Sequence, residues 1–228
     1  MWAGIALKKI LIAGEAGQTT NYENALAAMQ VHFVTSLQVK DVDEYDGLLL
    51  PGGGDVDPKL FGQLLIPETE IRQYSRWEKQ LIRKGQEKLT PELDRIQLAI
   101  LKAFCQYRKP VFGICKGMQL INIAFGGDML RHLPTAVHHA YREKDQMHPA
   151  RNEVNSFLYE VYGSDMLVNS AHHQGVGIPG RGIRYVQYAP DGVVEGLQHE
   201  FLPVYGVQWH PERLERDVKK LKKLFKIT

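Results

Sequence analysis

The chain has 228 residues, of which 44% are hydrophobic and 24% are charged, so it can fill the core of one large domain and is not intrinsically disordered. Its formal net charge of +2 is too small for nucleic acid to be expected as the main partner. No stretch reaches 18 consecutive apolar residues, so the sequence predicts no membrane-spanning helix.

The first half of the chain alternates between strand-like and helix-like runs. Four apolar runs are typical of short buried strands: KKILIAG (8–14), VHFVTS (31–36), GLLLP (47–51) and PVFGIC (110–115). Three runs have helical periodicity: TTNYENALAAMQ (19–30), TPELDRIQLAILKAFCQYRKP (90–110) and KGMQLINIAFGG (116–127). This alternation predicts a parallel sheet covered by helices, which is an α/β fold.

Residues 59–90 interrupt this pattern with a mixture of charged, aromatic and glycine residues. They predict an insertion, with some helix around 74–84, in an otherwise single domain of residues 1–228. The final stretch, ERDVKKLKKLFKIT (215–228), predicts a basic terminal helix that packs one apolar stripe; a membrane-surface or partner helix is the alternative.

Beyond residue 127 the sequence changes to short strand-like runs separated by turn signals such as GRG and PDG. The runs are FLYEVYG (157–163), MLVNSAHH (166–173), IRYVQYAP (183–190), GVVEGLQHE (192–200) and PVYGVQWHP (203–211). We expect this half to be antiparallel or mixed, and to continue the same sheet or pack beside it.

The two cysteines and the N-terminal residues bear on the compartment. Cys105 and Cys115 each lie in an apolar segment and are too far apart for a CxxC motif, so no disulfide framework is expected. This favours a reducing compartment. The stretch MWAGIALKK lacks the charged n-region of a signal peptide. We therefore expect a cytoplasmic protein, in which Cys105, within a helical run, is a core residue.

The stretch FGICKGMQLI (112–121) raises the question of whether Cys115 is a small core residue or a nucleophile. Gly113 and Gly117 permit a sharp turn between the predicted strand and the predicted helix, where a nucleophile is held away from the sheet. The N-terminus of the following helix favours a thiolate. The backbone N–H of Lys116 would point to where an oxyanion forms.

The stretch GVQWHPE (206–212) supplies partners for such a nucleophile. His210 and Glu212 are two residues apart, so in an extended segment they face the same way, and Pro211 marks a strand end. A carboxylate there can fix the imidazole tautomer, which makes His210 a candidate base for Cys115 and Glu212 its orienting acid. A strand-end histidine beside a solvated glutamate is the alternative.

The stretch LLLPGGGDVDP (48–58) places three glycines directly after a buried strand. It lacks the GKS/T ending of a phosphate-binding loop. The backbone N–H of Gly53 or Gly54 is instead a candidate for the second oxyanion donor. A plain surface turn is the alternative.

The motifs PGGGD, GICKGMQ and VQWHPE together resemble those of the class I glutamine amidotransferase superfamily. VNSAHHQ (168–174), APDGVVEGLQ (189–198) and LINIAFGGDM (120–129) resemble more narrowly its γ-glutamyl-γ-aminobutyrate hydrolase branch, the peptidase C26 family. The resemblance runs in order from about residue 47 to 212 and is weak over 59–105. Lysine at position 116 departs from the arginine common in this branch, but the oxyanion needs only the backbone of that residue.

The resemblance implies a three-layer, flavodoxin-like α/β sandwich with a central, mostly parallel sheet between helices. It implies that Cys115, His210 and Glu212 form a catalytic triad. The backbone oxyanion donors that it implies are Gly53 or Gly54 and Lys116. The residues that it implies for the γ-glutamyl pocket are Gln119, Ser170, His172, His173 and Gln174.

Two enzymatic hypotheses follow. In the first, the chain is a free-standing amidohydrolase in which Cys115 attacks a γ-glutamyl amide, His210 protonates the leaving amine, and water hydrolyses the glutamyl thioester. In the second, it is a glutaminase subunit that supplies ammonia from glutamine to a separate synthetase chain. NSAHHQ favours the first, and the intact triad disfavours a third hypothesis, a non-catalytic binding protein. The expected partner is a small γ-glutamyl substrate, and a homodimer is compatible with the sequence.

Nine histidines raise the question of a metal site. His138–His139 and His172–His173 are adjacent pairs, whose members face opposite ways on a strand, and no HExxH or Cys/His zinc spacing occurs. We therefore expect neither a metal nor another cofactor. His172 or His173 is interpreted as a hydrogen-bonding residue near the pocket.

Overall fold

The structure is a computed structural model that describes residues 9–214. Its strands are β1 Lys9–Ile12, β2 His32–Thr35, β3 Gly47–Leu50, β4 Val111–Ile114, β5 Met129–Leu130, β6 Gln146–Asn152, β7 Asp165–Ser170, β8 Gly175–Val176, β9 Ile183–Tyr188, β10 Val194–His199 and β11 Val204–Val207. Its helices are α1 Thr20–Ala28, α2 Glu68–Ile71, α3 Arg76–Glu87, α4 Pro91–Gln106, α5 Lys116–Ala124, α6 Ala136–His139 and α7 Phe157–Tyr162. Single turns of 3-10 helix lie at Val42–Glu44, Pro58–Phe61 and Pro211–Arg213. The C-terminal helix predicted over 215–228 lies outside the described residues.

One large sheet has the strand order β2-β1-β3-β4-β11-β10-β9-β6-β7. Strands β2, β1, β3, β4 and β11 run parallel to one another, and β10, β9, β6 and β7 continue the sheet in antiparallel fashion. Strands β5 and β8 pair separately as a short ribbon. The α/β fold class is confirmed, and the strand-rich second half of the chain extends the same sheet.

The parallel half of the sheet is buried on both faces. Within β3, Leu48 and Leu50 pack in a core with α4 and α5, whereas Leu49 packs on the opposite face in a core shared with α1 and α7. A continuous apolar run such as GLLL is typical of a strand covered on both sides. The result is three layers, with helices on either side of the sheet.

Helix α5 packs very close to the sheet where β4 ends. A Cβ added to Gly113 would lie 2.6 Å from the backbone of Gly117, and one added to Gly117 would collide with the carbonyl of Leu50. Only glycine fits at both positions without moving the helix. This contact sets the first turn of α5 directly over the ends of β3 and β4.

The segment FLYEVYG, predicted as a strand, is helix α7. The Ser156 hydroxyl accepts the Tyr159 N–H at 3.1 Å and caps the helix. Phe157, Leu158 and Val161 then share its buried side, a spacing that fits a helix. Aromatic and β-branched content favoured a strand in the sequence, but the cap and this spacing determine the structure.

The insertion after β3 is more ordered than its composition indicated. It contains one 3-10 turn and helices α2 and α3, which enclose a small core of Ile66, Ile71 and Ile82. Within residues 9–214, no helix has the length and apolar character needed to cross a membrane.

Candidate active site

Cys115 occupies the turn between β4 and α5 with a φ of 53° and a ψ of −108°. A positive φ is rarely adopted by residues with a Cβ and is typical of a nucleophile held on a strained strand-to-helix turn. The Cys115 N–H donates to the Val207 carbonyl at 2.8 Å, which anchors the turn to β11. The structure therefore has the elbow geometry that the GxCxG pattern predicted.

His210 and Glu212 form a buried hydrogen-bonded pair. Nδ1 of His210 lies 2.8 Å from Oε1 of Glu212, and the two side chains are 4% and 1% exposed. They were predicted to face the same way along an extended strand, but β11 ends at Val207 and the pair forms through the 3-10 turn Pro211–Arg213. Because Nδ1–H donates to the carboxylate, Nε2 is left for Cys115.

The neighbours of His210 determine the charge of its imidazole ring. Burial alone would lower the pKa of His210, but its interactions with Cys115 and Glu212 outweigh burial and raise that pKa to about 10. His210 is therefore an imidazolium at neutral pH, placed beside the candidate nucleophile Cys115.

Asn169, at the end of β7, holds the backbone of His210 from both sides. Its Oδ1 accepts the His210 N–H at 2.9 Å, and its Nδ2 donates to the His210 carbonyl at 3.0 Å. Asp145 in turn accepts from Asn169 at 3.1 Å and from Arg213 at 2.8 Å. Sequence reasoning missed Asn169, because β7 and β11 are distant in the sequence and not neighbours in the sheet.

Tyr22, on α1, is a second site residue that sequence reasoning missed. Its hydroxyl accepts the Gly52 N–H at 2.8 Å. Burial, reinforced by the interactions with Glu212 and Cys115, raises the pKa of Tyr22 well above its usual value, so the hydroxyl stays protonated. A lone tyrosine in an amphipathic helix carries no local signal of such a role.

The glycine loop passes directly beside the triad. A Cβ at Gly52 would lie 3.1 Å from the His210 ring and 3.3 Å from Cβ of Cys115. Because the Gly52 N–H is already bonded to Tyr22, Gly53, which lines the cleft at Cys115, is better placed as an oxyanion donor than Gly54, which does not line it.

The Lys116 backbone is the other predicted oxyanion donor. Lys116 is the first residue of α5, so its N–H has no acceptor within the helix. The predicted pair of donors thus reduces to Gly53 and Lys116, and their role stays a prediction.

The side chain of Lys116 packs against the glycine loop. It forms an ion pair with Asp94, the two side chains being 2% and 0% exposed, and donates to the Thr90 hydroxyl at 3.3 Å. A Cβ at Gly53 would lie 2.9 Å from Cδ of Lys116. Asp94 also accepts the Asp57 N–H at 3.0 Å. The side chain of this lysine therefore has a structural role of its own, beside the oxyanion role predicted for its backbone.

A polar cleft of about 390 Å³ opens at Cys115, a size suited to a small molecule. Its lining comes from the β1–α1 segment, the glycine loop and the loops after β4, β7 and β11: Gly17, Gln18, Thr20, Asn21, Tyr22, Gly52, Gly53, Cys115, Ala171, His210 and Arg213.

The five residues that the resemblance implied for the substrate pocket do not line this cleft. Those residues are Gln119, Ser170, His172, His173 and Gln174, and all are buried. Gln119 donates to the Gln174 carbonyl at 3.3 Å, and His173 contacts Asp55 at 3.0 Å. Ala171, between Ser170 and His172 in the sequence, does line the cleft. A direct role of the five in substrate binding stays a prediction.

The peptidase C26 family model matches residues 30–212. The chain belongs to the peptidase C26 family. It is 30% identical over 182 residues to Protein NtpR of Enterococcus hirae, an alignment that covers 75% of this chain and 68% of that relative. It is also 30% identical over 196 residues to the gamma-glutamyl-gamma-aminobutyrate hydrolase PuuD of Escherichia coli K12, covering 78% and 68%. The chain spans about two thirds of the length of these C26 relatives.

Solved structures agree with the fold of this C26 chain. A glutamine amidotransferase from Thermotoga maritima superposes with a TM-score of 0.62 and covers 98% of this chain and 84% of its own. Its sequence identity is 13%, so the likeness supports the fold alone.

Proposed function

We propose that this chain is a cysteine-dependent amidohydrolase that releases glutamate and an amine from a γ-glutamyl amide. The observation that carries the proposal is the strained Cys115 elbow facing a His210 imidazolium that Glu212 orients. The similarity to a relative named γ-glutamyl-γ-aminobutyrate hydrolase supports the γ-glutamyl half of the substrate.

The reaction proceeds in two halves. The Cys115 thiolate attacks the γ-carbonyl carbon, and the N–H groups of Gly53 and Lys116 stabilise the resulting oxyanion. His210 gives its proton to the leaving nitrogen, the C–N bond breaks, and the amine departs. Neutral His210 then takes a proton from water, which attacks the thioester carbonyl. Collapse of that intermediate expels the Cys115 thiolate and releases glutamate.

The lining of the cleft favours an anionic substrate. Arg213 adds a cationic side chain to the lining beside the His210 imidazolium, and Thr20 begins α1 at the same place. A helix N-terminus carries partial positive charge. Both features suit the α-carboxylate of a glutamyl group, and an amine product with its own carboxylate fits better than a polyamine.

The test is a panel of γ-glutamyl amides assayed for glutamate release, with γ-glutamyl-γ-aminobutyrate, a γ-glutamyl polyamine and free glutamine included. Wild type should hydrolyse at least one amide and Cys115→Ala none. Cys105→Ala is the matched control, because burial raises the pKa of that thiol to about 11 and it lies outside the cleft. A glutamine-like electrophile should modify Cys115 and spare Cys105.

Two outcomes of this panel contradict the proposal. One is a folded wild type that releases no glutamate from any substrate and leaves Cys115 unlabelled. The other is turnover of glutamine alone, rising only when a separate chain is added, which would identify a glutaminase subunit instead. The chemistry needs a reduced thiolate, so we also propose that the enzyme is cytoplasmic. We further propose that it acts without a partner chain.

A further inference from the structure

Three histidines meet one buried glutamate next to the active site. Oε1 of Glu195, on β10, lies 3.4 Å from Nδ1 of His139, 3.4 Å from Nε2 of His148 and 3.6 Å from Nε2 of His172. Glu195 is 0% exposed, and the histidine side chains are between 1% and 11% exposed. His172 directly follows Ala171, which lines the cleft at Cys115.

The ring nitrogen that points away from Glu195 shows which nitrogen of each histidine carries the N–H. In each ring the nitrogen turned away from Glu195 faces an oxygen that can only accept: the Asp191 carboxylate at 2.8 Å from His139 Nε2, the Pro149 carbonyl at 3.1 Å from His148 Nδ1, and the Gln174 carbonyl at 2.9 Å from His172 Nδ1. Each of these nitrogens therefore carries the N–H. In a neutral ring the nitrogen that faces Glu195 then presents a lone pair.

When all three rings are neutral, four electron-rich atoms thus converge with no proton between them. Their separations exceed the 2.7–2.9 Å of a charge-assisted hydrogen bond. Among the described residues, neither oxygen of Glu195 nor Nε2 of His148 or His172 has a hydrogen-bond partner. His139 Nδ1 has only the Ser170 hydroxyl, at 3.4 Å. A buried carboxylate in such surroundings is costly unless a positive charge is supplied.

The spacing of these atoms fits a tetrahedral metal ion. Ligands about 2.0–2.1 Å from a zinc ion are about 3.3–3.4 Å from one another, close to the distances observed around Glu195 Oε1. The ligand atoms of His139, His172 and Glu195 all lie within 4.8 Å of one another. Imidazole and carboxylate are donors that zinc accepts.

The surroundings also fit a metal site. Metal-bound histidines usually donate their other N–H to a carboxylate or a carbonyl, as all three rings do here. A surface cleft of about 340 Å³ reaches the cluster past His139, His148 and Asp191, and provides an entry path.

We propose that His139, His172 and Glu195 bind a zinc ion, with His148 beside Glu195 but outside this group. Three protein ligands leave one position of a tetrahedral zinc ion for water. The ion would link α6, the loop after β7 and β10, and so hold the loop that carries Ala171 at the edge of the cleft. This site does not depend on the proposed amidohydrolase activity.

The test uses the full-length Cys115→Ser chain, so that the cysteine of the triad cannot take up metal, purified without a histidine tag and stripped with a chelator. Titration with Zn²⁺ should give one tightly bound zinc per chain by elemental analysis after desalting. Co²⁺ in its place should give the intense visible absorption of a tetrahedral site. Glu195→Gln and His172→Ala should weaken zinc binding at least a hundredfold. His138→Ala, the exposed neighbour of His139 in the same cleft, should bind like its parent.

Three results would overturn the site: zinc that washes out below one equivalent, an octahedral cobalt spectrum, or equal zinc affinity in Glu195→Gln and its parent. If the ligand variants do not fold, Asp191→Asn decides the question, because Asp191 is exposed and lies outside the ligand set. It should weaken zinc affinity about 10–100-fold through the lost orientation of His139. Unchanged affinity would count against the site.

Discussion

Two buried glutamates of this chain, Glu212 and Glu195, contact histidines in two different arrangements. Glu212 accepts a hydrogen bond from one histidine at 2.8 Å, and the pKa of that histidine is raised to about 10. Glu195 has three histidines at 3.4–3.6 Å, and the outer nitrogen of each ring faces an oxygen that accepts its N–H. The same two residue types therefore suit proton transfer in one place and, as proposed, metal binding in the other. What differs is the group on the far side of the ring, which is Cys115 for His210 and an accepting oxygen for the other three.

Asp94 provides a third case, a buried carboxylate whose charge is met by a lysine. Each of the three carboxylates thus has its own means of compensation: an imidazolium, an ammonium and, as proposed, a metal ion. Removing the compensating group at each place should have a different effect, and the expected effects decrease in the order that follows.

The largest effect is expected at Glu212. Glu212→Gln should lower kcat by about 10⁴-fold, since the amide no longer fixes the His210 tautomer or stabilises the imidazolium. His210 must be protonated to release the amine, so wild-type activity should fall as pH rises through its pKa of about 10. Glu212 helps to raise that pKa, so the alkaline limb of the pH–rate profile should move to lower pH in the variant. Exposed Glu200→Gln is the control, and an unmoved alkaline limb would contradict the role of Glu212.

At Asp94 the expected effect is on stability. Lys116→Met should lower the free energy of unfolding by about 3–5 kcal/mol, because it leaves an uncompensated buried carboxylate. Adding Asp94→Asn should restore most of the loss, since the amide oxygen can still accept the Asp57 N–H. Urea denaturation measures both stabilities, and the control is Lys102→Met, an exposed lysine on helix α4, which also carries Asp94. A double variant no more stable than the single one would show that the pair is not the cause.

At Glu195 the effect depends on zinc. Zinc at a hundredfold excess over its Kd should stabilise the stripped chain by about 2.7 kcal/mol. For a chain of this size the melting temperature should rise by about 5–10 °C. The rate at which a glutamine-like electrophile labels Cys115 should be the same with and without zinc, because the triad makes no contact with the ion. A Glu195→Gln chain that gains the same melting temperature would show that zinc binds elsewhere.

The smallest effect is expected at Tyr22, which holds the glycine loop without meeting a buried carboxylate directly. Tyr22→Phe leaves the Gly52 N–H without its acceptor, a loss of about 1–2 kcal/mol, so kcat should fall by roughly 5–30-fold. Tyr107→Phe, exposed and distant from the cleft, should match wild type. Equal turnover in the two variants would remove Tyr22 from the site.

The parts of the site that are continuous in the sequence could be predicted from it. The GxCxG turn spans five consecutive residues and the His-x-Glu pair spans three, so local geometry alone shapes each of the two motifs. The alternation of apolar runs and helical stripes likewise indicated the parallel half of the sheet, because those runs are covered on both faces.

The remainder depends on contacts between distant segments. Asn169 reaches His210 across 41 residues, and Glu195 meets histidines from three other elements, so no spacing rule detects either. Strand β6 was also missed: it contains Pro149 and alternates exposed with half-buried polar residues, which masks its strand character. For helix α7, the aromatic and β-branched residues favour a strand, whereas the Ser156 cap favours the helix that forms.

The positive φ of Cys115 has a consequence for how this protein can evolve. A residue with a Cβ in such a conformation is destabilised by about 1–3 kcal/mol, a cost that glycine avoids. Cys115→Gly should therefore melt at a higher temperature than Cys115→Ala, and the proposed mechanism predicts that both are inactive. Selection for stability alone would favour glycine at this position, so under the proposed function it is the chemistry of Cys115 that keeps a side chain there.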